Sequence, residues 1–379
     1  MGKILITGNG FDLFHHLPTK YGHFMAVMKT IEELNINQKF TFEDLFGEFF
    51  KTKFVEDFQN IKKYYETDNI SFEFENIQVI KDNLKSNKWY NHFKQVLEIE
   101  TWIDFEMEVS NILNQTSLIF ETSQNLNNRH DFNIQKTGIY ENFSVFDFLE
   151  NSPGYIIIQK EFRDNRKGKI NERKILKLLA DSFNEFTLIF NDYLSDIVSC
   201  FYNKYQGKLY FPTERIDKIF SFNYTPTIES IYKKGNVTYL HGNIENKNII
   251  LGVNEIPEKV TENKGFEFLK SYQKIIKGSN FAINEHENRM EYHFIIFGHS
   301  LDFSDKEYIS DLLNFVEERS FDDAKITIFF RDIKDKKNKL ENLFYYEEEK
   351  KIIELERNKK IEFVEITEAN ILTQFLLTI

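Results

Sequence analysis

The spacing of the strand-like segments limits this chain more than any other feature. Lys3 to Thr7 is a compact apolar run ending at a glycine turn, as a buried first strand would. The next clear runs lie far downstream, at Lys218 to Phe222, Val237 to Leu240, Ile249 to Leu251, Phe294 to Phe297, Ile326 to Phe330 and Ile361 to Ile366. Several are near-continuous apolar runs, which strands covered by helices on both faces require. Helical stretches such as Lys306 to Arg319 separate some of them. The alternation predicts an α/β fold, a Rossmann-like, doubly wound and mostly parallel sheet. A long insertion must then part its first strand from the second.

That insertion carries a helical rhythm. Leu176, Leu179, Phe183, Phe186, Phe190, Leu194, Ile197 and Phe201 advance by threes and fours, the pattern of a sustained amphipathic helix. Trp102, Phe105, Val109 and Ile112 repeat it. The reading assigns residues 1–30 to the first strand and its nucleotide-binding loop, 31–215 to a mainly helical insertion, and 216–379 to the rest of the Rossmann-like domain. Residues 121–172, rich in Asn, Gly and charge, are expected to hold the irregular part. The stripe from Leu176 to Phe201 is core or a subunit interface, which leaves a homo-oligomer open. The Lys/Glu-rich stretch from Asp332 to Lys360 reads as a solvated helix face.

Composition narrows the function classes. With 41% hydrophobic residues, including 40 Phe and 18 Tyr among 379 residues, the chain can fill a large core and is not a disordered one. Sixty acids against 48 bases leave a net charge of −12, so generic nucleic-acid binding is not expected. Cys200 is the single cysteine, which excludes an intramolecular disulfide and a multi-cysteine zinc site within one chain. The apolar run at the N-terminus is followed at once by Asn9, Gly10 and Asp12 without a small-residue cleavage site. No uncharged apolar run approaches the roughly 18 residues of a membrane span. The expectation is a soluble, cytoplasmic protein with no membrane partner.

Four segments pair a strand end with polar, glycine-flanked residues. Gly8-Asn9-Gly10 follows the first strand, where glycines let the backbone approach a phosphate at a helix N-terminus. The third glycine of the dinucleotide fingerprint is absent, since position 13 is Leu. Asp12 either turns into the same pocket or caps local amides. His15 and His16 are a poor metal pair, because adjacent side chains diverge, and no metal is expected. In Phe220-Ser221-Phe222-Asn223-Tyr224-Thr225-Pro226, Asn223 falls at the carboxyl edge of the sheet, where its amide can donate to or accept from a ribose or a water. Thr225 can cap a helix with Pro226 at its first position. His241, followed by Gly242, stands where a general base works near neutral pH. Gly298, His299 and Ser300 offer amides to a nucleotide, while Asp302 and Asp305 favour a ribose hydroxyl. Ser304 and Glu307 have capping-box spacing, predicting a helix from Asp305. In the stretch Trp102 to Glu106, Trp102 and Phe105 read as core; Asp104 and Glu108 share a neighbouring face and Glu106 points elsewhere. One carboxylate facing a substrate and solvated helix acids are both open there.

GNGFDLFHHLPTKY, WIDFE, FSFNYTPT, LHGN and FGHSLDFSD, in this order, resemble the bacteriophage abortive-infection AbiH family. The resemblance runs from the first strand to at least Asp305 and implies antiphage defence, with an unidentified phage-derived trigger. The strand-Asn-Tyr, His-Gly and Gly-x-Ser-Leu elements are also similar to sirtuin-like NAD-consuming domains of other phage-defence proteins. That similarity implies a sirtuin-like fold in which Asn223 and His241 carry NAD cleavage, with NAD as substrate and no true cofactor. The first loop departs from it, reading Gly-Asn-Gly-Phe-Asp in place of Gly-Ala-Gly-x-Ser, and the four-cysteine zinc module is missing, which disfavours deacetylation. The expected activity is an NAD glycohydrolase, with Asp12 stabilising positive charge. Nucleotide binding is expected from Gly8, Asn9, Gly10, Thr225, Gly242, Gly298, His299, Ser300, Asp302 and Asp305. The rival readings are a hydrolase or transferase acting on another nucleotide, and a non-catalytic sensor of ADP-ribose or a related nucleotide.

Overall fold

The computed structural model describes residues 2–34, 39–99, 104–124, 133–135, 146, 148–152, 155–164, 169–279, 291–319 and 323–376. Its centre is one sheet of six parallel strands: β1 (Gly2–Thr7), β2 (Lys218–Ser221), β3 (Val237–Tyr239), β4 (Tyr292–Phe297), β5 (Ala324–Phe330) and β6 (Ile361–Glu365). They lie in the order β3-β2-β1-β4-β5-β6, and every pairing is parallel. This is the 3-2-1-4-5-6 order of a doubly wound, Rossmann-like sheet, whose order reverses between β1 and β4. Ligands gather at the carboxyl ends beside that reversal.

The strands are apolar throughout because both faces are covered. Ile4, Ile6, Phe294, Ile296, Ile326 and Ile328 pack on one side with Leu312, Val316, Ile352 and Leu355. The alternate residues Leu5, Ile219, Ile295, Phe297 and Phe329 pack on the other with Phe11, Ile228, Ile371 and Phe375. A third and larger core, from Leu17 through Phe201 to Phe268, belongs mostly to the insertion. Its spine is the helix Glu172–Asp192, in which Leu179, Phe183, Phe186 and Phe190 are all buried. The stripe continues to Phe201 as expected, but the α-helix does not. After Asp192 the backbone widens through a π turn (Tyr193–Ile197) and then tightens into a 3₁₀ segment (Val198–Lys204), keeping Leu194, Ile197 and Phe201 buried.

Three local expectations fail for identifiable reasons, and the stretch 121–172, part of which lies outside the described residues, holds short ordered pieces. Ile249–Leu251 is buried but joins no ladder; its backbone is satisfied instead by the Tyr224 hydroxyl on Ile250 O, by Gln273 Nε2 on Leu251 O, and by the Ile250 amide donating to His241 O. Within residues 121–172 the described segments form two small antiparallel sheets, Asn133–Gln135 with Tyr155–Ile158 and Leu149–Ser152, and Arg163–Asp164 with Lys169–Ile170. The Ser304/Glu307 capping box does not form: Asp302 accepts from the Ser304 amide to start a short 3₁₀ turn, and the α-helix begins at Lys306. The Asp332–Lys360 stretch is only partly solvated. Lys339, buried, donates to His299 O at 2.6 Å, Asn342 to Ser300 O, and the Tyr346 hydroxyl to Leu301 O at 3.1 Å. Its helix Ile333–Tyr346 thus buttresses the loop after β4.

Candidate functional site

A cavity of about 420 Å³ opens at the carboxyl ends of β1, β2 and β4, roofed by the insertion. Its volume lies in the range of roughly 300 to 1,000 Å³ usual for small-molecule sites. Gly8, Asn9, Gly10, Asp12, Asn223, Thr225, His241, Gly298, His299, Ser300, Asp302 and Asp305 all line it, so the topology gathers nearly every residue singled out from the sequence. Gly242 is absent from the lining; at φ +74° it turns the backbone, and a Cβ there would meet Asn248 O at 2.2 Å.

The glycines of the first loop serve a close backbone crossing. A Cβ on Gly10 would lie 2.6 Å from Gly298 Cα, and one on Gly298, at φ +70°, would lie 2.2 Å from the Phe11 nitrogen. Gly8 N donates to Phe297 O and Gly10 N to Gly298 O, which ties the β1 and β4 loops together. The Asn9 side chain is likewise engaged with Thr19. These loop donors are therefore committed to the fold and do not form an open phosphate cradle.

Asn223 sits on the cavity floor, 6% exposed. Its Nδ2 donates to Asp12 Oδ1 at 3.0 Å, and the Thr225 hydroxyl donates to the other Asp12 oxygen. Thr225 thus serves Asp12 and does not cap the following helix, which starts at Thr227 without a side-chain cap. The geometry also decides which way the Asn223 amide faces. With its donor spent on Asp12, Oδ1 is left buried and without a hydrogen-bond partner among the described residues. The site offers an acceptor there, suited to a hydroxyl or a water. Burial raises the Asp12 carboxyl to about 6, against the opposing hydrogen bonds from Thr225, Thr227 and Asn223.

The second cluster centres on Asp305. The Leu301 amide donates to His299 Nδ1, so Nε2 carries the ring proton and donates to Asp305 Oδ2 at 3.2 Å. Oδ1 faces His241 Nε2 at 3.1 Å, off the direction of a hydrogen bond, and Lys270 Nζ at 4.0 Å. Burial alone would raise Asp305, but His241, Lys270 and His299 together hold it well below the usual carboxylate range. Burial outweighs Asp305 at His241 and lowers that imidazole to about 4, which makes it a weak proton acceptor at neutral pH. His15 and His16 are spent elsewhere: His15 bridges Phe11 O and the Tyr232 hydroxyl at 2.8 Å each, and His16 stacks on Tyr64. Among the described residues, no group of three His, Cys, Asp or Glu side chains is arranged to hold a metal.

A family model for bacteriophage abortive infection AbiH matches residues 4–330. The chain belongs to this AbiH family. Neither curated proteins nor solved structures give a match. The family's role is antiphage abortive infection.

The AbiH chain's site also draws on residues the sequence did not single out or placed differently. Each acid of the stretch Asp104 to Glu108 has its own task. Asp104 Oδ1 accepts from the amides of Glu106 and Met107 and so begins the helix Phe105–Gln124. Glu108 turns into the insertion, 3.3 Å from His92 Nε2. Glu106 lines the cavity and pairs with Lys270 Nζ at 2.7 Å; Asp104 lines it as well and so parts from Glu108, with which it was expected to share a face. Trp102 lies outside the described residues, while Phe105 is core, stacked on Tyr21 at 4.2 Å. Lys270 starts the helix Lys270–Lys277 in a segment with no motif to announce it. Among the described residues no helix is long and apolar enough to cross a membrane.

Proposed function

We propose that this antiphage protein cleaves the nicotinamide–ribose bond of NAD, acting as an NAD glycohydrolase during abortive infection. The observation that carries the reading is the Asp12–Asn223 clamp at the sheet's carboxyl edge, which leaves the buried Oδ1 of a cavity-lining residue without a hydrogen-bond partner among the described residues. A ribose hydroxyl or an attacking water supplies the donor that Asn223 Oδ1 lacks. Charge supports the same substrate end. Asp12, Asp104, Glu106, Asp302 and Asp305 line the cavity, and Lys270 is the lysine among its lining residues. Such a wall favours the cationic nicotinamide ring and the oxocarbenium-like ribose left as it departs.

NAD enters this scheme as substrate, with no further cofactor required. His241, neutral and buried, shapes the ribose subsite beside Asp305. The same charge pattern favours a second reading, cleavage of the N-glycosidic bond of another nucleotide, because Lys270 is already paired with Glu106 and cannot serve a diphosphate freely. The test is to incubate the purified protein, alone and with lysate of infected cells, with NAD and to follow nicotinamide and ADP-ribose by chromatography. Equal release of both supports the reading. Intact NAD with consumption of a different nucleotide in the same lysate replaces it with the second.

A further inference from the structure

Glu106 lines the cavity with Asp104 of the same segment, and two contacts of its own hold it there. The Asp104 carboxylate caps its own helix by accepting from the Glu106 amide at 2.9 Å, which sets the backbone. Lys270, 3% exposed, holds Oε2 at 2.7 Å, and the same ammonium lies 4.0 Å from Asp305. The Glu106 side chain keeps 19% of its surface accessible, into the cavity. Insertion and sheet domain therefore meet through a Glu106–Lys270–Asp305 bridge, and the cavity is walled only when both are in place.

Resting on the NAD reading above, we propose that Glu106 is the catalytic base, taking the proton of the water that attacks the ribose, while Asn223 Oδ1 orients that water or the adjacent hydroxyl. As the bond from ribose C1′ to the nicotinamide nitrogen breaks, its electron pair returns to the ring, which leaves neutral. The water oxygen bonds to C1′, and its proton passes to the Glu106 carboxylate and on to solvent. Products are nicotinamide, ADP-ribose and one proton, with no oxidant or reductant involved.

The surroundings suit Glu106 to this task better than His241. Burial raises its carboxyl to about 7, with Asp305 and Asp104 acting in the same direction and Lys270 opposing them. A base that titrates there is half ionised at neutral pH and still strong enough to accept a proton. Asp305, which accepts from His299 and lies 4.0 Å from the Lys270 ammonium, stays ionised well below the usual carboxylate range, so it cannot share that role and instead positions Lys270. Tyr21 and Tyr224 line the same space, with hydroxyls held well above the range in which they would ionise.

Glu106→Gln keeps the shape and can still meet Lys270 through its amide oxygen. The expected result is a loss of nicotinamide release on the order of 10²-fold or more in kcat, with ADP-ribose affinity by calorimetry changed less than about threefold and melting unchanged. Wild-type kcat/KM should rise with pH through about 7 and lose that limb in the variant. Glu106→Asp, shorter but still basic, should recover part of the rate. Plaque counts on cells carrying Glu106→Gln supply an arm that does not depend on the substrate. Full protection, or full NAD cleavage by the variant, overturns Glu106 and leaves the NAD reading standing. A wild-type protein that protects cells but cleaves no NAD, with infected lysate present, overturns the NAD reading and this step together.

Discussion

Asp12→Asn isolates the cost of charging a buried carboxyl from the geometry it holds. Asp12 is 1% exposed, and Asn there keeps an oxygen for Asn223 Nδ2 and an amide for the Thr225 hydroxyl to accept. What changes is titration. The folded carboxyl sits at about 6 against an ordinary 3.8. At about 1.4 kcal/mol per pH unit, that gap corresponds to roughly 3 kcal/mol of folding free energy that the wild type lacks when Asp12 is ionised. The sign follows from the raised value. Below about pH 4 the group is protonated folded and unfolded alike, and wild type and variant should be equally stable. As pH rises toward about 6 the wild type loses stability that the variant keeps, and above it the difference should level off near its full size. Urea unfolding at intervals from pH 4 to 8 reads the curve. Nicotinamide release should fall although stability rises, because the variant removes a negative charge beside the developing cation. A pH-independent stability difference, or a variant less stable than wild type at pH 8, would refute the assignment of a buried, ionising Asp12.

Phe186 is fully buried against Phe93, Phe105 and Phe24, so Phe186→Ala should cost about 3–5 kcal/mol, read as a lowered melting temperature; an unchanged melt would remove the stripe from the core. Gly298→Ala puts a side chain at φ +70° and 2.2 Å from the Phe11 nitrogen, and should destabilise by more than about 1 kcal/mol and weaken nucleotide binding together. Asn223→Ala should slow NAD cleavage on the order of 10²-fold through lost positioning while ADP-ribose affinity and melting change little; a melting loss in proportion to the rate would make Asn223 a structural residue.

Much of the sheet was legible because its strands are buried on both faces, and burial leaves a mark in sequence. Runs such as Phe294–Phe297 and Ile326–Phe330 admit almost no polar residue, so their strands and the helices between them could be placed. Ile249–Leu251 shows the limit of that signal. It is equally apolar and buried, yet side chains from Tyr224 and Gln273 take its carbonyls, and no periodicity reveals who satisfies a backbone. Residues of the site at strand ends, Asn223, His241 and His299, were found because topology brings strand ends together whatever lies between them. Lys270 was not, since one lysine among many carries no pattern; only its burial beside Glu106 distinguishes it. Asp104, Glu106 and Glu108 were visible as a group, but their division of labour depends on where the helix begins. Once Asp104 caps it, Glu106 turns to the cavity and Glu108 to His92. Thr225 was misplaced for a related reason: its hydroxyl had a better acceptor in Asp12, more than two hundred residues away in sequence, than in the adjacent helix.

Cellular NAD through a synchronous phage infection decides whether this pocket consumes it where the trigger is present. Cells carrying the wild-type protein should lose most of their NAD, with ADP-ribose and nicotinamide rising in step before lysis, and cells carrying Asn223→Ala at equal protein level should keep it. Wild-type cells that stop phage production while their NAD stays at the level of uninfected controls would contradict NAD cleavage as the pocket's reaction.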